Sequence, residues 1–137
     1  MEFYTEPEHK LPVTDHADVI VAGAGPAGYT AAIAAARTGA KTILVEQFNC
    51  VGGMATSGMM SHFTGCTDSP VFEEMMARVQ AEKAGIFCPT QGAGRHKINH
   101  EILKKVLFDM LAEAGVILKL YTFVCGVVKE GDTVRGI

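Results

Sequence analysis

Apolar residues along the chain follow two patterns, short continuous runs and longer stretches with helical spacing. Residues 18–22 and 41–46 each contain a continuous apolar run, which is typical of a strand buried on both faces of a sheet. Between them, residues 26–38 are rich in alanine and are followed by a glycine, which predicts a helix. Strand, helix and strand in this order form a βαβ unit with parallel strands and a right-handed crossover.

Two more helices and a hairpin are predicted after residue 46. Ser69 and Asn99 are residue types that cap helix N-termini, and apolar positions at helical spacing follow each of them. Gly131 and Asp132 form a two-residue hairpin signal. In chain order, the predictions are a loop at 47–68, a helix at 70–85, a loop at 86–97, a helix at 99–115 and strands at 116–121, 123–130 and 133–137. The loop at 47–68 is too long for a simple connection, so we expect it to line a site.

Composition narrows the class of protein. The chain has 137 residues and 48% of them are hydrophobic, so we expect a leader arm at 1–16 and one domain, or part of one, at 17–137. A formal net charge of -3 gives no reason to expect nucleic acid as a partner. Glycines interrupt the uncharged stretch 19–36, which favours a strand and a helix over a membrane span.

The four cysteines and the N-terminus indicate the cellular compartment of the protein. No pair of cysteines has the spacing of a zinc site or a disulfide scaffold, so no metal is expected. The acidic N-terminus lacks the apolar segment of a signal peptide. Reduced thiols in a cytoplasm are therefore the simplest expectation.

A glycine-rich motif lies between the first predicted strand and the first predicted helix. Gly23, Gly25 and Gly28 have the spacing G-x-G-x-x-G. Gly23 permits a tight turn, Gly25 lets a pyrophosphate approach the backbone, and Gly28 lets the helix pack closely. The helix N-terminus at Pro26 and Ala27 directs N–H groups and a positive dipole end at the phosphates.

A carboxylate at the end of the second predicted strand completes the pattern. Glu46 can accept hydrogen bonds from both ribose hydroxyls, and its charge disfavours a 2′-phosphate. The alternative interpretation is a structural glycine turn with a solvated Glu46. Strand, turn, helix, strand and acid in this order favour dinucleotide binding.

The same region carries a family resemblance. Residues 17–46 resemble the amino-terminal FAD-binding segment of flavoprotein oxidoreductases with a glutathione-reductase-type fold. The sequence VGGMATSG at 51–58 looks most like the FAD-dependent oxidoreductase family, and INHEILKKVLFDMLAEAGVILKLYTFVCGVV at 98–128 resembles the next helix and strand of that family. The resemblance covers nearly all of 17–137 and is specific for FAD rather than for a substrate.

The resemblance implies the fold, the cofactor and further contacts. It implies an α/β, Rossmann-like βαβ FAD-binding domain with a parallel sheet and the start of a β-meander, and FAD as cofactor. Gly52, Gly53 and Met54 would pass beside the pyrophosphate and flavin. Gln47 would follow the ribose-binding acid, and the backbone of Val124 would lie by the adenine ring.

Three features depart from that family pattern. Disulfide reductases of this fold have C-x-x-x-x-C just after the glycine pair, whereas residues 54–58 contain no cysteine, so no dithiol relay between Cys50 and Cys66 is expected. A later Gly-Asp motif and a substrate domain are also missing. We therefore expect an incomplete flavoprotein with little turnover alone, and no catalytic residue is assigned.

Some side chains in the two predicted loops could take part in chemistry. His62 could act as an acid or base near the flavin, although a surface histidine is the simpler interpretation, and Cys66 is more simply a buried thiol. Residues 95–97, Arg-His-Lys, could meet an anionic substrate or the pyrophosphate, or form a solvated loop. Met59 and Met60, like Met54, could pack either on the flavin or in the core.

The residues fit more than one class of function. The main hypothesis is an FAD-dependent oxidoreductase that acts on a small organic substrate by hydride or electron transfer. The alternatives are a dinucleotide-binding module without catalysis and a small NAD-binding Rossmann protein, and the second glycine pair favours FAD over NAD. An unpaired strand at the end of the chain predicts self-association, either as a homo-oligomer through that edge or by aggregation.

Overall fold

The structure is a computed structural model, and it describes residues 1–137 apart from Glu6, His9, Ser61 and the segments 65–68 and 83–94. The elements in chain order are β1 (Val19–Ala22), α1 (Pro26–Arg37), β2 (Thr42–Val45), a 3₁₀ turn (Gly53–Ala55), β3 (His62–Thr64), α2 (Pro70–Ala81), β4 (Arg95–Lys97), α3 (His100–Glu113), β5 (Ile117–Lys119), β6 (Val128–Glu130) and β7 (Thr133–Gly136).

A three-stranded parallel sheet in the order β1-β2-β5 forms the centre of the fold. Val19 pairs with Thr42 at one end of β1 and Ala22 with Val45 at the other. The predicted βαβ unit and the strand that follows the third helix are confirmed, although β5 is shorter than the predicted run. Because all three strands run the same way, their carboxyl ends lie at one edge, where the glycine motif begins.

The predicted helices and their N-caps are confirmed. Pro26 occupies the first turn of α1, where its missing N–H costs no hydrogen bond. The side chain of Ser69 accepts a hydrogen bond from the Phe72 N–H at the start of α2. The side chain of Asn99 accepts hydrogen bonds from two N–H groups at the start of α3.

The core lies between the sheet and the helices. Helix α1 packs against β1 and β2, and α2 and α3 pack against α1 and against each other. Ile33, Leu44, Met75, Leu107 and Met110 are fully buried there. Burying each such side chain contributes about 1.5–3 kcal/mol, so this layer holds the sheet edge and the helix N-termini in place.

The prediction that the first strand is buried on both faces is wrong. Ile20 and Ala22 of β1 are exposed, whereas Val21 packs against the core. The helices cover one face of the sheet, and the other face opens into a cleft of about 620 Å³. Ile43 and Val45 of the neighbouring strand line the same cleft. A continuous apolar run shows that a strand is apolar, but not which of its faces the chain covers.

The predicted loops at 47–68 and 86–97 each contain a short strand among their described residues, so the loop prediction is wrong at 62–64 and 95–97. Strands β3 and β4 form an antiparallel pair in which His62 lies opposite Lys97. Helix α2 ends at Ala81 rather than at the predicted glycine, which lies outside the described residues.

The hairpin of β6 and β7 around Gly131 is confirmed, but the predicted strand at 123–130 forms only from Val128. Within the described residues, no helix is both long enough and apolar enough to cross a membrane.

Candidate cofactor-binding site

The glycine motif turns sharply from β1 into α1. Gly23 has a φ of +90°, which an L side chain rarely adopts, and its N–H donates a hydrogen bond of 2.7 Å to the Val45 carbonyl. A Cβ added to Gly28 would lie 1.7 Å from the carbonyl oxygen of Gly23. Gly28 is therefore required by the packing of the chain itself, as predicted.

Gly25 differs, because no packing contact with a described residue explains its missing side chain. A Cβ added there would meet no described atom within 4 Å, and its φ of -69° suits any residue. Gly25 caps α1 without a side-chain hydrogen bond, and its carbonyl accepts the Tyr29 N–H at 3.0 Å. The missing side chain leaves open space in front of the first-turn N–H groups, at the positive end of the helix dipole.

Glu46 lies beside this loop and is only 6% exposed. Its Oε2 accepts a hydrogen bond of 2.7 Å from the Ala24 N–H, and its Oε1 accepts one of 2.9 Å from the Phe48 N–H. A carboxylate oxygen can accept two hydrogen bonds, so each oxygen keeps acceptor capacity for a ligand. The carboxylate that follows β2 therefore lies directly beside the glycine motif.

The second glycine pair packs directly on the first motif. The Gly52 N–H donates a hydrogen bond of 2.8 Å to the Ala24 carbonyl. A Cβ added to Gly53 would lie 3.0 Å from the Cα of Gly25, and both Gly52 and Gly53 have positive φ. We call the surface formed by the motif 23–28, Glu46 and Gly52–Gly53 the cradle. It places N–H groups, a helix N-terminus and a partly unsatisfied carboxylate around one open space, which fits the phosphates and ribose of a dinucleotide.

The match to a protein family indicates which dinucleotide the chain binds. The model of the family described as FAD dependent oxidoreductase matches residues 18–137. The chain belongs to the FAD-dependent oxidoreductase family. Its cofactor is FAD, as predicted, and the alternative of a small NAD-binding protein is not supported.

Individual relatives cover the chain to different extents. Thiamine thiazole synthase of Aeropyrum pernix is 33% identical over 123 residues, which are 88% of this chain and 42% of the relative. A fumarate reductase (cytochrome) of Shewanella frigidimarina is 42% identical over 73 residues, which are 45% of this chain and 13% of the relative. The chain thus spans less than half the length of either relative.

A solved structure shows the same fold. The myxobacterial chondrochloren halogenase CndH, described as a variant of FAD-dependent halogenases, superposes with a TM-score of 0.64 at 18% identity, over 86% of this chain and 31% of that one.

The remaining residues expected to contact FAD lie at the same edge of the sheet or on the neighbouring cleft. Gln47 is exposed directly after Glu46, and Met54 is 61% exposed in the 3₁₀ turn. The Thr122 N–H donates a hydrogen bond of 2.9 Å to the main-chain carbonyl of Glu46, and Val124, two positions later, lines the cleft. Their contacts with FAD stay predictions.

The structure describes the other candidate side chains only in part. His62 is half-buried in β3, whereas Cys66 lies outside the described residues. The backbone of residues 95–97 forms β4, but their side chains are outside the described part. Met59 and Met60 are exposed rather than in the core, and Met59 has a φ of +53°.

Two cysteines among the described residues are free thiols. Cys50 is buried, with its Sγ 3.0 Å from the Ser57 Oγ, and Cys125 is exposed. Cys66, the other member of the pair, lies outside the described residues. The expected lack of a dithiol relay stays a prediction.

Sequence reasoning missed two residues that hold the second glycine turn. The Thr56 hydroxyl is buried and donates a hydrogen bond of 2.6 Å to the Val51 carbonyl. The Nδ1 of His100, at the start of α3, lies 2.9 Å from the Ala55 carbonyl oxygen. His100 is distant from this turn in sequence, and no motif marks it.

Proposed function

We propose that this chain holds FAD in the cradle and forms the cofactor-binding part, residues 17–137, of an oxidoreductase acting on a small organic molecule. The main support is the buried Glu46 carboxylate, which lies 2.7 Å from a backbone nitrogen of the glycine motif and keeps free acceptor capacity. A cofactor site of this kind does not by itself indicate the substrate.

The proposed roles follow the chemistry of each group. The first-turn N–H groups of α1, at Ala27 and Gly28, and the open space at Gly25 suit the pyrophosphate. The Glu46 carboxylate accepts hydrogen bonds from the ribose hydroxyls, and Gln47 lies next to them. Gly52 and Gly53 let the second turn pack against the glycine motif, so that this turn lies beside the pyrophosphate.

At the two ends of the cofactor, different parts of the chain make contact. Met54, exposed in the second turn, packs toward the flavin end. The backbone at Val124 borders the adenine. The bound FAD supplies hydride and electron transfer, and the residues named here bind and orient it.

The experiment is a binding titration of the purified chain with FAD, FMN and NAD⁺, followed by flavin fluorescence or calorimetry. FAD should bind at least about 100-fold more tightly than FMN, because FMN lacks the adenosine half that Glu46 and the glycine motif recognise. Equal affinity for FAD and FMN would rule out the cradle as the binding site.

Catalysis needs a second experiment. The FAD-loaded chain is mixed anaerobically with small hydroxy acid, amino acid and reduced nicotinamide donors, and flavin bleaching is followed by absorbance. Reduction by one donor class supports an oxidoreductase. Tight FAD binding without reduction by any donor would favour the alternative of a cofactor-binding module that lacks catalysis.

We also propose that the chain works in the cytoplasm and associates with a second copy. The apolar cleft on the open sheet face, with Ile20 and Phe123 exposed on it, supports association, because parallel sheets are normally covered on both faces. Light scattering after size exclusion tests this: a mass that rises toward a dimer with concentration supports it, and a monomer at all concentrations contradicts it.

A further inference from the structure

A histidine from the third helix reaches the second glycine turn. The Nδ1 of His100 lies 2.9 Å from the carbonyl oxygen of Ala55, although the two residues are 45 positions apart. A carbonyl oxygen only accepts hydrogen bonds, so Nδ1 carries the proton and donates. Ala55 is only 3% exposed, and leaving its carbonyl without a donor would be costly.

The helix that carries His100 is a rigid support. Asn99 caps α3 through its side chain, and Leu103 and Leu107 on the same helix are fully buried. The histidine is the first residue of this helix, so its backbone position is set by both the cap and the core. A donor attached there can fix a flexible glycine turn.

The turn held by His100 forms one wall of the cradle. Gly52 donates to the carbonyl of Ala24, and Gly53 lies against the Cα of Gly25, both in the 3₁₀ turn or directly before it. Gly52 and Gly53 have positive φ, a conformation that costs glycine little but also gives the turn little stiffness of its own. Internal hydrogen bonds, such as that from the Thr56 hydroxyl to the Val51 carbonyl, shape the turn, and its outside contacts keep it close to the glycine motif.

We propose that His100 is a positioning residue for the cofactor: its hydrogen bond to Ala55 fixes the second glycine turn against the first and thereby sets the width of the cradle. The effect of His100 on FAD binding rests on the proposed function, whereas its effect on the turn rests only on the hydrogen bond to Ala55. His100 acts through the turn.

The test compares three variants of the full chain. His100→Ala removes the donor, and His100→Asn restores one at the same distance from the backbone, because the asparagine Nδ2 and the histidine Nδ1 are both δ atoms. Glu101→Ala is the matched control, since Glu101 is an exposed neighbour on the same helix turn whose carboxylate pairs with Lys104. The dissociation constant of FAD and the hydrogen exchange of amides 52–58 in cofactor-free protein are measured for each.

We expect His100→Ala to weaken FAD binding about tenfold, the size of effect given by one net hydrogen bond, and to speed amide exchange at 52–58. His100→Asn should recover most of both properties, and Glu101→Ala should leave both unchanged. Unchanged exchange in His100→Ala, or no recovery in His100→Asn, would overturn the proposal. If the unchanged chain binds no FAD, the proposed function fails, while the exchange measurement still decides whether His100 holds the turn.

Discussion

At the residue scale, Gly25 and Gly28 lack a side chain for different reasons. Gly28 must be glycine because a Cβ would collide with the carbonyl of Gly23, whereas the space at Gly25 is not used by any described residue. Gly28 is thus a folding requirement, whereas the space at Gly25 is available for a ligand. Their separate roles can be measured with single-methyl substitutions.

Gly28→Ala should lower the free energy of unfolding by at least about 2 kcal/mol, because the new Cβ must displace backbone. Gly25→Ala should change it by less than about 1 kcal/mol, because its φ is ordinary and the added methyl group meets open space. Urea unfolding followed by circular dichroism measures both. Equal destabilisation of the two variants would contradict the distinction.

Glu46 accepts hydrogen bonds from two backbone N–H groups, and this makes even its nearest isostere unfavourable. In Glu46→Gln the amide has one acceptor oxygen, so either the Ala24 or the Phe48 N–H would face an NH₂ group. We expect a loss of about 1–3 kcal/mol in stability together with weaker FAD binding. Thermal unfolding and FAD titration measure the two effects, and wild-type values for both would show that the carboxylate is dispensable.

Tyr29 lies in the core with its hydroxyl donating to the Met75 Sδ at 3.3 Å. Burial raises the pKa of Tyr29 from 10.0 to about 12, so its contribution to stability is complete below pH 10 and is lost as the pH rises toward 12. Tyr29→Phe should change stability by less than about 1 kcal/mol at pH 7 and should reduce the fall in melting temperature between pH 9 and 11. Tyr121→Phe, at an exposed position, is the control and should not alter that fall.

At the element scale, an ion-pair network joins the three helices. Glu74 of α2 pairs with Arg37 of α1 at 2.7 Å and with Arg78 at 2.7 Å, and Arg78 also pairs with Glu113 of α3 at 2.6 Å. These contacts tie together helices whose opposite ends carry the glycine motif and His100. Such a network contributes more to the free energy of unfolding than isolated surface ion pairs do, but the contribution is still small.

The hydrogen bond from Arg37, with that from Arg78, holds the pKa of Glu74 below its ordinary value of 4.5. A lowered carboxyl pKa contributes stability that is present above pH 4.5 and is lost as the pH falls through the folded-state value. Glu74→Gln should therefore lower stability by about 1 kcal/mol at pH 7, and the difference from wild type should shrink below pH 4. Melting temperatures from pH 3 to 7 measure it, and a difference that stays constant over this range would contradict the network.

Some secondary-structure elements could be predicted from the sequence pattern and others could not. The Gly23 motif, the Pro26 start of α1 and the Asn99 cap could be predicted, because each depends on local backbone chemistry. The β3–β4 pair could not, because each strand has three residues without clear alternation, and their partners lie in distant segments. Pairing between remote short strands is a property of the tertiary structure rather than of either segment.

At the scale of the whole molecule, the sheet has one face covered by helices and one face open to the cleft. Hydropathy predicted the strands, but the exposure of Ile20 depends on which surfaces pack together, and this is decided by chain topology. The same applies to the cradle: spacing indicated both glycine pairs, yet their contact through Gly52 and Gly53, and its support by His100, became visible only in three dimensions.

Flavin content tests most directly whether FAD occupies the cradle in front of Gly25, as we propose. Gly25→Val is compared with Gly136→Val, since a Cβ at Gly136 would likewise meet none of the described atoms within 4 Å and its φ is ordinary. Each protein is loaded with FAD and desalted, and bound flavin is read from absorbance near 450 nm, the usual flavin band, with folding checked by circular dichroism. We expect Gly136→Val to retain wild-type flavin and Gly25→Val to lose at least about 90% of it, because its side chain fills the pyrophosphate space. Folded Gly25→Val protein with undiminished flavin would show that FAD does not bind in front of Gly25.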